Sequence, residues 1–252
     1  MRILIVDPPH PVMLERFDDF GWKYDLEYDK TKEELLDIVA QYDGLVVRSS
    51  IKVDKTLIDA AKNWSFIARY GVGTEHIDLE YAAQKKITVF TSPEGSKDAV
   101  AEHSMGMLLM LMNHLSRADS QVKAGQWLRE PNRGVEIKGK TVGILGYGNM
   151  GKALAKRLQG FECKVIAYDK YKKQYGDEYA EEVALETLFS NADILSIHIP
   201  YMKDNHYFID GSFIDSFRKP LYIVNTARGL VLNTQDLVER IEEGKVMGAA
   251  LD

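Results

Sequence analysis

The chain has 252 residues, 45% of them apolar and 28% charged, and a formal charge of −6. That length can bury a large core, as one large domain or two smaller ones, and the acidic balance argues against nucleic-acid or membrane-surface binding. With Cys163 as the only cysteine, no intramolecular disulfide can form; a buried structural thiol in a reducing, cytoplasmic setting is expected. In chain order, the apolar run Arg2 to Val6 predicts a strand and leaves no room for a signal peptide. It is broken at Asp7-Pro8-Pro9. Thr31 and Glu34 form a capping box for a helix with the face Leu35, Leu36, Ile38 and Val39. Leu45-Val46-Val47 is a second strand, ending at Arg48-Ser49-Ser50. A helix over Asp54 to Ala61 precedes the run Phe66-Ile67-Ala68, which leads into Arg69-Tyr70-Gly71-Val72-Gly73. Another helix and the run Ile87 to Phe90 complete a first unit, residues 1–95.

The Pro-Gly segment Thr91 to Asp98 reads as a linker, followed by one long helix from Val100 to Lys123. Its methionines (Met105, Met107, Met110, Met112) suit packing, and its apolar coverage predicts burial, including between subunits. The run Met105 to Met112 is too short to span a bilayer. Later apolar runs (Ile194 to Ile199, Leu221 to Val224, Val246 to Leu251) alternate with helical segments at Leu185 to Phe189, Ser212 to Phe217 and Thr234 to Glu243. The alternation predicts an α/β protein of two doubly wound parallel-sheet domains of Rossmann or flavodoxin-like type, 1–95 and 96–252, with the second apparently truncated at its C-terminus.

The densest signal is Thr141 to Asp169: strand, glycine cluster, helix, strand, acid. This is the context a dinucleotide-binding motif requires. Gly146 allows a sharp turn off the strand, Gly148 lets a pyrophosphate approach the backbone, and Gly151 lets the helix pack closely on the sheet. Tyr147, Asn149 and Met150 belong to the same turn and first helical residues, whose amides face the pyrophosphate. Asp169 stands where an acid accepts hydrogen bonds from the adenosine ribose, and its charge favours NAD over NADP.

Several segments together resemble the D-isomer-specific 2-hydroxyacid dehydrogenases, and their phosphoglycerate dehydrogenase branch best: VVRSSIKV, RYGVGTEHIDL, AVAEHSMGMLL, KGKTVGILGYGNMGKALAKRL, ADILSIHIP, YIVNTARGLV and GAALD. The resemblance implies a substrate domain followed by an NAD domain, and hydride transfer between NAD and a D-2-hydroxy acid (EC 1.1.1.-). Backbone amides of the loop with Gly71, Val72 and Gly73 would hold the substrate carboxylate. Arg228 matches the family arginine that binds the carboxylate and carbonyl oxygen, a task suited to a planar fork of donors. Arg48, with Ser49 beside it, is a second candidate contact, with an inter-domain ion pair as the alternative. His198, Ile199 and Pro200 would wall the adenine side, Thr226 and Ala227 would face the nicotinamide, and Asp252 would bind its carboxamide. No metal is expected.

The resemblance also implies a general-acid histidine and a partner glutamate, neither of which has a match in this chain; His10 and His76 are the substitutes considered. Asn149 replaces a common arginine, Ser96-Lys97-Asp98 replaces an asparagine-bearing segment, and Asn205-His206 replaces a threonine. The expected substrate is D-3-phosphoglycerate or a related acid, with Arg48 and Trp127-Leu128-Arg129 favouring a phosphorylated one. Alternatives are a glycerate/hydroxypyruvate or glyoxylate reductase, a catalytically incomplete NAD-binding fragment, and an NADH-sensing binding module. A homodimer through helix 100–123 is expected from the resemblance; nucleic-acid and membrane partners are not.

Overall fold

A computed structural model describes all residues from Met1 to Asp252, in two compact units, Met1–Ser96 and Lys97–Asp252. The first unit contains β1 (Arg2–Ile5), α1 (Pro11–Asp19), β2 (Lys23–Leu26), α2 (Lys32–Leu36), β3 (Gly44–Val47), α3 (Lys55–Ala60), β4 (Phe66–Arg69), α4 (Leu79–Gln84), β5 (Thr88–Phe90) and the start of α5 (Pro93–Met112). The second continues with α6 (Leu115–Lys123), β6 (Thr141–Leu145), α7 (Asn149–Leu158), β7 (Lys164–Tyr168), β8 (Glu181–Glu182), α8 (Leu185–Asn191), β9 (Ile194–Ile197), α9 (Gly211–Asp215), β10 (Leu221–Asn225), α10 (Thr234–Glu242) and β11 (Val246–Leu251).

Every strand pairing is parallel. The first sheet has the order β2-β1-β3-β4-β5 and the second β11-β10-β9-β6-β7-β8. Each is doubly wound, with its strand order reversing between β1 and β3 in one and between β6 and β9 in the other. In sheets of this kind ligands bind outside the C-terminal ends of the strands, where the strand order reverses. The central strands are apolar because helices cover both faces: β3, β9 and β10 are buried along their whole length. In the second unit, Ile144, Leu154 and Leu158 belong to one core cluster and Leu145, Leu195 and Ile223 to another. Each such side chain contributes about 1.5–3 kcal/mol by leaving water, more than the 0–1 kcal/mol of an exposed ion pair such as Lys123–Asp119.

Local signals explain several boundaries. The Thr31–Glu34 capping box is formed in both directions and starts α2, but α2 is short, and a separate 3-10 turn at Val39–Gln41 carries the rest of the anticipated face. Three sequence expectations are not met. Thr91 to Asp98 is not a linker throughout, because α5 begins at Pro93, where a fixed φ and missing N–H suit a helix start. The long helix over Val100 to Lys123 is two helices, broken where His114 adopts a left-handed φ of 53°. Nor is α5 buried all round: Ala101, Ser104, Met105, Leu108 and Met112 form one buried face, whereas Met110 is 50% exposed. Elements without a strong apolar signal were not anticipated: α1 buries no residue, β2 is a half-exposed edge strand, and β8 has two exposed residues.

Candidate active site

The glycine turn follows β6. Gly146 has φ +95°, and a Cβ there would lie 2.8 Å from the His198 carbonyl oxygen, so the turn needs glycine for both conformation and space. A Cβ on Gly151 would lie 2.3 Å from the Gly146 carbonyl oxygen, which explains how closely α7 packs on the turn. A Cβ on Gly148 would meet nothing within 4 Å. Gly148 is the N-cap of α7 and gives it no side-chain cap, so the first-turn amides and the positive end of the helix face outward as an anion cradle. Asn149 is exposed there and Met150 half-buried.

Asp169 stands at the end of β7. It accepts hydrogen bonds from the amides of Tyr147 (3.0 Å), Tyr171 (3.0 Å) and Lys172 (3.2 Å). A carboxylate has about four acceptor positions, so one remains for a ribose hydroxyl. Between the ends of β6, β7 and β9 lies a largely apolar cavity of about 180 Å³, lined by Gly146, Gly148, Asp169, His198, Ile199 and Pro200, among others. Asn205 also lines it, and its side-chain oxygen accepts from the Met202 amide at 2.6 Å. His198 Nε2 is 2.8 Å from the Ser196 hydroxyl, and burial pulls its pKa down to about 4. It is therefore a neutral wall at pH 7. An open cradle at Gly148, an uncapped helix start and a carboxylate after the next strand fit a dinucleotide.

A loop closed by local hydrogen bonds follows β10. Asn225, 2% exposed, accepts from the Ala227 amide at 3.0 Å and donates to the Arg228 carbonyl at 3.1 Å. Arg228 Nη1 donates to the Ala227 carbonyl at 2.6 Å. The Thr226 hydroxyl lies 2.9 Å from that of buried Ser104, which donates its one proton to the Val100 carbonyl at 2.8 Å, so Thr226 is the donor in that pair. Asp252 follows β11. Its amide donates to the Asn225 carbonyl at 3.0 Å, and its carboxylate is 3.9 Å from His103 Nε2. Asn225, Ser104 and His103 were not among the sequence candidates. Asn225 had a signal, an Asn within a turn-forming Asn-Thr-Ala-Arg-Gly run; Ser104 had none, since its partner is 122 positions away.

In the first unit, one carboxylate oxygen of Asp7 accepts from the amides of Arg48 (2.6 Å), Ser49 (3.3 Å) and Ser50 (3.4 Å) and from the Ser50 hydroxyl (2.9 Å). This fixes the Arg48-Ser49 loop where the strand order reverses, with Arg48 and Ser49 exposed. The Gly71–Gly73 loop follows β4. Gly71 has φ +137°, and Arg69 Nη1, which donates to the Tyr70 carbonyl at 2.9 Å, occupies the space of a side chain. Val72 is 38% exposed and Gly73 is buried. His10 caps α1 through Nδ1, accepting from the Val12 amide at 3.3 Å. Burial, then the charge of Arg69, lowers the pKa of half-buried His76.

No helix is long and apolar enough to cross a membrane. The NAD binding domain of the D-isomer specific 2-hydroxyacid dehydrogenases matches residues 105–252. Hydroxypyruvate reductase of Thermotoga maritima is 40% identical over 88% of this chain and 72% of its own length. D-3-phosphoglycerate dehydrogenase of Archaeoglobus fulgidus is 34% identical over 100% of this chain, which spans only 48% of that relative. Among solved structures, D-lactate dehydrogenase of Aquifex aeolicus, complexed with NAD and lactic acid, superposes with a TM-score of 0.83 at 28% identity, covering 100% of this chain and 76% of that one.

Proposed function

The chain belongs to the D-isomer specific 2-hydroxyacid dehydrogenases, and on that premise we propose that it serves hydride transfer between NAD and a D-2-hydroxy acid. One observation carries this reading. The glycine turn, Asp169, His198–Pro200, Thr226–Arg228 and Asp252 all leave the C-terminal ends of strands of one parallel sheet, the edge at which such sheets bind and transform ligands.

NAD supplies the hydride chemistry. The amides of Gly148 and of the first turn of α7 would hold its pyrophosphate, those of Gly146 and Tyr147 being taken by the Tyr168 carbonyl and by Asp169; Asp169 would hold its ribose and His198, Ile199 and Pro200 its adenine side, while Thr226, Ala227 and Asp252 would serve the nicotinamide end. Arg228 is the catalytic residue. Its guanidinium orients the substrate carboxylate by paired hydrogen bonds and stabilises negative charge developing on the carbonyl oxygen. Asn225 holds the loop that presents it. The first unit binds substrate, through the Gly71–Gly73 amides and the Arg48-Ser49 loop that Asp7 fixes. A guanidinium at Arg48 suits a phosphorylated acid such as D-3-phosphoglycerate; hydroxypyruvate and glyoxylate are the competing substrates. The chain acts as a homodimer through α5, α6 and the segment after them, supported by the exposure of Leu115 (51%), Val122 (53%) and Trp127 (82%), and a single cysteine accords with a reducing cytoplasm.

The test is NADH oxidation against a panel of phosphorylated and unphosphorylated 2-keto acids. Turnover highest with the phosphorylated acid is expected; preference for hydroxypyruvate or glyoxylate removes the phosphate reading, and turnover with none of the panel sinks the activity.

A further inference from the structure

Tyr147, the middle residue of the glycine turn, is 3% exposed, and its side chain has no role yet in holding the cofactor. We propose that Tyr147, Lys172 and Asp177 form a brace that positions the pyrophosphate-binding amides, a proposal that rests on the NAD site described above.

The segment after Asp169 folds back over the turn and holds Tyr147 at three polar points. Its amide donates to Asp169 Oδ2 at 3.0 Å, its carbonyl accepts from Lys172 Nζ at 2.7 Å, and its hydroxyl donates to Asp177 Oδ1 at 2.8 Å. The first two contacts lie on successive peptide planes, one before and one after Tyr147. In a trans peptide the carbonyl and the N–H point in opposite directions. Lys172, by holding the Tyr147 carbonyl, therefore aims the Gly148 N–H the other way, and a Cβ at Gly148 would meet nothing within 4 Å.

Asp177 extends the brace into the helix. Its Oδ2 pairs with Lys152 Nζ at 2.8 Å, in the first turn of α7, while its Oδ1 also accepts from the Tyr179 amide at 2.9 Å. Tyr175 closes the arrangement: its hydroxyl accepts from the Asp169 amide at 2.8 Å and donates to the Ala167 carbonyl at 2.9 Å, with its ring 5.6 Å from that of Tyr147. Residues 169–180 thus tie the ribose acid, the turn and the helix start into one geometry. Amides fixed in advance bind an anion without the cost of ordering them.

Titrating the 252-residue chain with NADH and with ADP-ribose, each followed by calorimetry, tests the brace. Lys172→Met, Tyr147→Phe and Asp177→Ala should each weaken both ligands about tenfold. The Tyr147→Phe/Asp177→Ala double variant should bind no more weakly than Asp177→Ala, because the two substitutions break one shared contact. Lys172 is exposed, so Lys172→Met keeps the test open where a buried change unfolds the chain. Unchanged affinities with a lowered melting temperature would make these residues structural only and refute the brace, as would additive losses in the double variant. Failure of the unsubstituted chain to bind NADH sinks the cofactor site and the brace together; binding that the substitutions leave untouched sinks the brace alone.

Discussion

At the level of single residues, the site depends on groups whose neighbours leave them one state or one size. Gly151→Ala would place a methyl 2.3 Å from a backbone oxygen. Overpacking of this kind costs about 1–3 kcal/mol, so we expect a lower urea midpoint and weaker NADH binding. Arg228→Gln should lower kcat/KM for the preferred 2-keto acid by about 10²–10³-fold, the range for losing one stabilising donor, while leaving NADH affinity unchanged. His198 makes a pH prediction. Its native pKa of about 4 lies below the usual 6.5, so as pH falls the unfolded chain takes up the proton first. Its contribution to stability is full above 6.5 and is lost between about 6.5 and 4, a span worth about 3 kcal/mol at 1.36 kcal/mol per unit. Urea unfolding at stepped pH should show that slope in the unsubstituted chain and a flatter one in His198→Asn. Asp177 behaves separately. Burial opposes its charge, but Lys152, the Tyr179 amide and the Tyr147 hydroxyl together hold it at about 2, so the stability it adds persists until pH falls below the ordinary carboxylate range.

Secondary elements follow their sequence signals where the signal is local. The α2 helix begins at Thr31 because the capping box satisfies two otherwise unpaired amides; Thr31→Ala should cost about 1 kcal/mol, read as a lower urea midpoint with the same slope. The α5–α6 break was not legible in the same way. Methionine and leucine run through to Met112, and Asn113-His114 is a modest helix breaker; what ends α5 is tertiary, as the Val135 amide takes the Met112 carbonyl at 2.9 Å and His114 turns left-handed. The edge strand β2, Lys-Tyr-Asp-Leu, carries no apolar run because an edge position needs none, and pairing with β1 rather than composition makes it a strand.

For the whole molecule, the proposed dimer is the property most open to direct measurement. Leu115, Val122 and Trp127 expose apolar surface on α6 and just beyond it, and sedimentation of the native chain at micromolar concentration should report a dimer. Trp127→Ser with Val122→Ser should shift it toward monomer without altering NADH affinity, since neither residue lines the cofactor cavity.

The sequence by itself determined the alternation of strands and helices, the dinucleotide turn and the family. These rest on short-range requirements: an apolar run for a strand buried on both faces, glycine where φ is positive or space is lacking, and an acid about twenty positions on. Only the tertiary structure decided how those residues are held. Tyr147 reads as filler between two glycines until residues 169–180 fold onto it, and Ser104 reads as one more helix residue until Thr226 meets it across 122 positions. Each such contact joins residues whose identities carry no periodic signal, and it forms only after the parallel sheet brings its C-terminal ends to one edge.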